Sequence, residues 1–291
     1  MHHAERDVPD GVLGDRLDLV DTSELRSAAA PIDHPVYGVV RSFERGLDAT
    51  VRTVPHVAAD AGLASETRAR SSKEDALNAT RHDHTGSFHR RHTRFVIQYD
   101  PRTALIVVDV QNDFADPRGS LYVRRGEEVV PFVNREIERA FDGGASVVYT
   151  QDWHPPVTPH FRKDGGIWPV HCVRDTWGAQ FHPGLRVAES ATIVRKGEDG
   201  SDGYSGFSVR HPETGDVRAT ELEFILRQRS ADSLAIAGLA TDYCVVETTL
   251  DAIRFGHDMT VLVDGVRAVD LRDGDGERAL ERMRAAGAEL D

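Results

Sequence analysis
Cysteine is almost absent. Cys172 and Cys244 are the only two in 291 residues, so no disulfide framework can hold this chain together. Lysine is scarce as well: Lys73, Lys163 and Lys196 are the only three among 35 basic residues. Long apolar runs are missing. The longest, Ala104–Val108 and Leu234–Ala240, fall far short of the ~18 residues that a membrane span needs. The start, Met-His-His-Ala-Glu-Arg-Asp, has no apolar stretch, so no secretory signal is expected. Positive charge is outweighed. A formal net charge of −13 argues against nucleic acid or an anionic membrane as the main partner. These shortages predict a soluble, reduced, cytoplasmic protein. Apolar residues are not short: 40% hydrophobic against 29% charged excludes collagenous and wholly disordered chains.

The length allows one large domain or two modest ones, and residues 1–98 differ in kind from residues 99–291. The first stretch holds 15 acidic and 13 basic residues, which leaves −11 of the net charge to the rest. It has four aromatics (Tyr37, Phe43, Phe88, Phe95), and its apolar residues keep neither a helical nor a strand period. The expectation is a poorly ordered N-terminal extension, disordered or loosely packed, with short helices at most, as in Ala64–Asn78. Few lysines are what GC-rich coding produces, and there an internal Val codon can be the true start. Val96 stands just before the regular part, so N-terminal sequencing of the native protein tests whether the extension is translated. His82, His84, His89 and His92 lack cysteines or carboxylates at a closed-site spacing, Asp83 apart, and read as a solvated basic linker.

From Tyr99 the pattern becomes regular. Ala104–Asp109 is a short continuous apolar run, as expected of a strand buried on both faces of a parallel sheet. Val130, Val133, Ile137 and Phe141 follow at helical spacing and end at Gly143-Gly144. Further strands are expected at Ser146–Thr150, Ala191–Arg195, Ser233–Gly238 and Thr260–Val263, with a short terminal one at Ala288–Leu290. Helices are expected around Leu222–Leu226, along Val246, Leu250 and Ile253 up to Gly256, and over Asp275–Ala286. Strand and helix alternate, which predicts an α/β domain: three layers, α/β/α, on a mostly parallel six-stranded sheet.

Sites in such sheets form at the carboxyl ends of strands. Asp109 ends the first strand, Asp152 follows the second by two residues, Lys196 ends the third, and Cys244 opens the helix after the fourth. A lone cysteine is ordinarily a small buried hydrophobe. At a helix N-terminus, however, its thiolate is stabilised and backbone N–H groups can hold an oxyanion. A carboxylate such as Asp109 can take a thiol proton, and a lysine beside both keeps the carboxylate ionised. The loop from Asp152 to His160 supplies one carboxylate and two imidazoles, His154 and His160, and His171 can return to the same place. One carboxylate with three imidazoles suits one divalent transition metal ion, Zn, Fe or Mn, with room left for water. His182 and His257 fit no such set and read as surface or packing residues.

The segments Val107–Phe114 (VVDVQNDF), Asp152-Trp-His154 with His160, Trp168–Cys172, Lys196-Gly197, Tyr204–Phe207 and Gly238–Cys244 (GLATDYC) resemble those of the nicotinamidases, or pyrazinamidases, of the isochorismatase-like cysteine hydrolase superfamily. The resemblance spans about residues 103–290, roughly two thirds of the chain. The resemblance implies an isochorismatase-like, Rossmann-like fold and hydrolysis of a linear amide C–N bond through a cysteine thioester. The substrate would be nicotinamide, pyrazinamide being a second candidate, and the role NAD salvage. It further implies Asp109 as general base, Lys196 as its charge partner and Cys244 as nucleophile, with Asp152, His154, His160 and His171 as metal ligands. The backbone amides of Ala240 and Cys244 would form the oxyanion hole, with a cis peptide at Leu239-Ala240. Phe114, Trp168 and Tyr204 would line the substrate pocket. The chain departs from the family in residues 1–98 and in the Asp- and Gly-rich loop 197–204. Alternatives are an amidohydrolase of the same superfamily acting on a carbamoyl or ureido substrate, a vinyl-ether hydrolase, or a catalytically silent scaffold. Oligomeric state is left open.

Overall fold
The structure is a computed structural model and describes residues 97–291. The expectations for the N-terminal extension and its four histidines therefore lie outside the described residues, save for Ile97 and Gln98.

Six strands form one sheet: β1 (Thr103–Val108), β2 (Ser146–Asp152), β3 (Thr192–Lys196), β6 (Ser233–Leu239), β7 (Asp258–Arg267) and β8 (Glu289–Leu290). Their order is β3-β2-β1-β6-β7-β8, and every pairing in it is parallel. The expected sheet is present and wholly parallel. Its central strands carry the continuous apolar runs because both of their faces are covered. All six residues of β1 are buried, and burying each Leu, Ile or Val of it contributes about 1.5–3 kcal/mol.

The helices are α1 (Asn112–Ala115), α2 (Val129–Asp142), α3 (Leu222–Gln228), α4 (Val246–Arg254) and α5 (Asp275–Ala286). In α2 the stripe Val129, Val130, Val133, Ile137 and Ala140 is buried, whereas Phe141, expected on that stripe, is 50% exposed. After Ile137 the buried stripe continues through Ala140, and Phe141, one position on, lies off it. Asp275 and Glu277 in the first turn of α5 and Arg284 in its last suit the helix dipole. Two apolar clusters, one on each face of the sheet, complete the three layers: Leu105, Val107 and Ile137 belong to one, Ile106, Leu234 and Met283 to the other. Among the described residues no helix is long and apolar enough to cross a membrane.

Three local features were not expected. β2 runs on to Asp152, because pairing with β3 continues through Gln151 with Arg195 and Asp152 with Lys196. Asp152 thus ends its strand. β7 has 10 residues where the sequence suggested only Thr260–Val263, and it carries a register shift opposite Ile236–Gly238. A small antiparallel hairpin, β4 (Ser208–Arg210) with β5 (Val217–Ala219), stands apart from the main sheet. Its strands of three residues are too short to leave a period in the sequence.

Ile97 is buried, its carbonyl accepts from Arg139 Nη2 (2.8 Å), and Tyr99 donates to Glu136 on α2 (3.1 Å). A chain reduced to residues 96–291 keeps both contacts and every strand named above. We expect it to melt within about 3 °C of the full chain, a stability change of about 1 kcal/mol. A much lower melting temperature, or aggregation, contradicts that.

Candidate active site
The carboxyl ends of β1, β2, β3 and β6 lie side by side, and each delivers a group to the same place. Between β1 and β6 the approach is so close that a Cβ on Gly238 (φ +121°) would lie 2.0 Å from the Val108 carbonyl oxygen. Only glycine fits there. Asp109 follows β1 with φ 46°, a left-handed conformation that turns its buried carboxylate toward β2 and β3. Thr150 Oγ1 donates to its Oδ1 (2.6 Å), and Lys196 Nζ donates to its Oδ2 (2.7 Å). The same ammonium donates to Asp152 Oδ1 (2.6 Å) and to the Gly203 carbonyl, so its three protons are all in use. Cys244 Sγ is 3.7 Å from Nζ. Acceptor atoms of Asp109, Asp152 and Cys244 lie within 4.8 Å of one another. The Lys196 ammonium is the cation that this group surrounds.

Cys244 was expected at the start of an ordinary α-helix. It lies instead in a single π-helical turn, Thr241–Val245, that precedes α4, after a cis peptide at Leu239-Ala240. The wider turn has Val245 N–H bonding back to the Ala240 carbonyl (3.0 Å).

Burial sets the protonation of the group. It pushes the Asp109 carboxyl up to about 6, with the Lys196 ammonium pulling the other way. Burial would also raise Asp152, but Lys196 and His154 more than reverse it and hold that carboxyl far below the usual carboxylate range. Burial opposes the charge on Lys196, yet Asp109 and Asp152 keep its pKa well above that of a free lysine. Burial pushes the Cys244 thiol well up; Lys196 counters this, and Asp109 and Asp152 add to it. The resting state is therefore a neutral thiol beside a carboxylate that is ionised at pH 7.

Beside this group three buried imidazoles converge. Ring centroids of His154 and His160 are 4.6 Å apart, His154 and His171 5.2 Å, and His160 and His171 5.3 Å, with one nitrogen of each within 4.8 Å of the others. His171 Nδ1 donates to the Pro169 carbonyl (2.8 Å), and His160 Nδ1 lies 2.6 Å from Asp202 Oδ1. Both therefore keep Nε2 for a ligand. Among the described residues neither ring nitrogen of His154 has a hydrogen-bond partner, although the side chain is wholly buried. Buried polar atoms are rarely left so. Burial lowers the pKa of His160, with Asp202 opposing, and lowers that of His171 further, helped by the other two imidazoles. Neutral imidazoles are what a divalent metal ion requires. Asp152 Oδ2 is 3.8 Å from His154 Nε2, so this carboxylate faces the imidazoles with one oxygen and Lys196 with the other. The donor set fits a divalent transition metal. Gly197 makes room for it: a Cβ there would lie 2.5 Å from the His154 ring.

Over both groups opens a pocket of about 440 Å³ including its mouth, lined by Phe114, Trp168, Tyr204, Tyr243, Ala240 and Cys244 among others. Trp168 Nε1 donates to Tyr204 Oη (2.7 Å), and Trp168 meets Tyr243 edge-on (4.9 Å). Every site residue expected from the sequence comes to this edge. His182 and His257 lie elsewhere; His257 Nε2 is 2.8 Å from Glu223 Oε2.

Sequence reasoning missed four residues. Thr150 orients Asp109. Gln111 clamps Asp152 through its backbone, donating to Asp152 O and accepting from Asp152 N–H, both at 2.8 Å. Asp113 accepts the Cys172 N–H (2.7 Å), which pins the turn after His171. Gln111 and Asp113 lie within VVDVQNDF but have no chemistry to announce them. Asp202 sits in an Asp- and Gly-rich loop where no periodicity singles it out.

A parallel sheet that brings Asp, Lys and Cys to one edge beside an imidazole cluster defines an isochorismatase-like protein. The Isochorismatase domain matches residues 103–290, and the chain belongs to that family. The nicotinamidase of Escherichia coli (strain K12) is 38% identical over 206 residues, covering 65% of this chain and 94% of that protein. The crystal structure of pyrazinamidase of Pyrococcus horikoshii in complex with zinc superposes with a TM-score of 0.59 at 40% identity, covering 66% of this chain and 99% of that one. A structure from L. infantum in complex with nicotinate superposes with a TM-score of 0.61 at 32% identity, covering 68% and 96%.

Proposed function
We propose that this protein is a metal-dependent amidohydrolase that converts nicotinamide to nicotinate and ammonia through a thioester on Cys244. One observation carries the reading: a buried Asp109-Lys196-Cys244 group adjoins three buried imidazoles, and Cys244, His160 and His171 from the two line one aromatic-lined pocket. The relatives named for nicotinamide and pyrazinamide hydrolysis, and those in complex with zinc and nicotinate, support it. We expect it to act in the cytoplasm on small aromatic amides.

Phe114 and Trp168 flank the pyridine ring, and Tyr204 closes the pocket through its hydrogen bond to Trp168. Asp109 takes the Cys244 thiol proton as the sulfur attacks the amide carbonyl carbon. The two events must be concerted, because the thiol is by far the weaker acid of the pair. The backbone amides of Ala240 and Cys244 hold the oxyanion, where one donor is worth about 3 kcal/mol. Asp109 then protonates the amide nitrogen, the C–N bond breaks, and ammonia leaves. Water adds to the thioester carbonyl while Asp109 takes its proton, and collapse releases nicotinate and restores the thiol. Lys196 stays protonated throughout and offsets the charge on Asp109. Asp152, His154, His160 and His171 would hold a divalent ion, zinc by likeness to the zinc-bound relative. When bound, that ion supplies Lewis acidity for orienting the ring nitrogen and for acidifying water.

The imidazole cluster favours this reading over a carbamoyl or ureido amidohydrolase, and the intact Asp109, Lys196 and Cys244 favour it over a silent scaffold. Two results test it. The chain should bind about one equivalent of metal, His160→Ala should lower that, and a strong chelator should abolish ammonia release from nicotinamide. A metal-free protein that stays active with chelator present and ignores His160→Ala sinks the metal assignment. Secondly, kcat/KM should hold above about pH 6 and fall roughly tenfold per pH unit below it, because protonation of Asp109 removes the base. Metal content measured at each pH separates this from metal loss. A flat profile down to pH 4.5 with metal retained contradicts Asp109 as the base.

A further inference from the structure
The loop between β3 and β4 carries Asp202, a carboxylate only 8% exposed that the proposed reaction does not use. Its Oδ1 faces His160 Nδ1 at 2.6 Å, and its Oδ2 accepts from Arg210 Nη2 at 3.1 Å. Backbone bonds fix it as well: Asp202 N–H donates to Arg210 O (2.7 Å), and Arg210 N–H donates to Asp202 O (3.0 Å). The carboxylate is thus built onto the end of β4. Two residues earlier the same loop holds the backbone of His160. Thr158 Oγ1 donates to the Gly200 carbonyl (2.9 Å) and accepts from His160 N–H (3.2 Å). The ring and the main chain of His160 are both set by residues 200–202.

The other two imidazoles are held differently. The acceptor for His171 is a neutral carbonyl two residues away in its own segment. The ring of His154 has no hydrogen bond among the described residues and packs on His160 and Phe161. Only His160 has a carboxylate behind it. An imidazole that donates its Nδ1–H to a carboxylate is locked in one tautomer, and its Nε2 becomes a stronger donor to a cation.

We propose that Asp202 is the positioning residue of the metal centre: it orients His160 and strengthens its Nε2 as a ligand, and Arg210 and the β4–β5 hairpin hold Asp202 in place. The proposal rests on reading the three imidazoles as a metal centre. It gives the hairpin a task that the main sheet does not.

The test is titration of the chelator-stripped full chain with Zn(II), and with Co(II) for its visible absorption bands. Asp202→Ala should weaken Zn(II) binding by about 10- to 100-fold and shift the Co(II) bands. Asp202→Asn, which keeps the shape but not the charge, should weaken it less. Asp202→Glu should restore part of the affinity, and Arg210→Gln should give a smaller loss of the same kind. Melting of the metal-free variants reports the fold. Should the Ala variant not fold, the Asn and Glu variants decide. Unchanged affinity and Co(II) spectrum in the substituted chains, with or without a lower melting temperature, overturn the proposal and leave the metal centre standing; the pair is then an ordinary loop contact. An unaltered chain that takes up no Zn(II) or Co(II) overturns the metal centre and this role together.

Discussion

Cys244→Ala should abolish turnover, a loss on the order of 10⁴-fold or more in kcat, while leaving the fold intact. The change removes one sulfur from the floor of the pocket. It strands no hydrogen-bond partner, because Lys196 still has Asp109, Asp152 and the Gly203 carbonyl. Cys172→Ala is the control. That thiol is also buried and also pushed well up by burial, but its hydrogen-bond acceptor is the Gly178 carbonyl at 3.9 Å, away from the Asp109-Lys196-Cys244 group. Its backbone, not its sulfur, is held by Asp113. Replacing it should cost about 1 kcal/mol of stability and less than tenfold in activity. Steady-state ammonia release and melting curves on both variants distinguish them. Equal losses at the two sites mean that the nucleophile is misassigned.

Lys196→Met should damage stability as well as activity. Lys196 is 1% exposed and lies between two buried carboxylates. Removing it leaves both charges unpaired, and breaking a buried pair in this way costs about 3–5 kcal/mol. The sign of the pH dependence follows. In the unaltered chain the depressed pKa of Asp152 contributes stability above the carboxylate's ordinary pKa, lost only as pH falls through the folded value. Without Lys196 both carboxyls titrate higher, so the penalty should be largest at neutral pH and shrink toward pH 4 as they take up protons. Urea unfolding at pH 7.5 and pH 5 reads the difference. A penalty that does not change with pH contradicts the ammonium's role in holding the two charges.

Much of the fold was legible because a parallel sheet needs continuous apolar strands, and β1 and β6 are such runs. Helix periods placed α2 and α4 for the same reason: each packs one face on the sheet. Strand ends were less clear, since the reach of β2 to Asp152 depends on pairing with β3, which a single sequence does not display. The ionisable residues were legible by position. Chemistry-bearing side chains at the ends of four apolar strands have one place to meet. What supports them was not. Thr150, Gln111, Asp113 and Asp202 act through hydrogen bonds between segments 41 to 59 residues apart, such as the 2.6 Å contact of Asp202 with His160 across 42 residues. The π turn around Cys244 was hidden likewise, because its residues are compatible with an ordinary helix start.

The most direct measurement is product analysis with nicotinamide as sole substrate and metal-loaded protein. Nicotinate and ammonia should appear in equal amounts, and Cys244→Ala should release neither. Absence of both products from the metal-loaded, folded chain, or ammonia released only from a carbamoyl or ureido compound, would contradict the assignment.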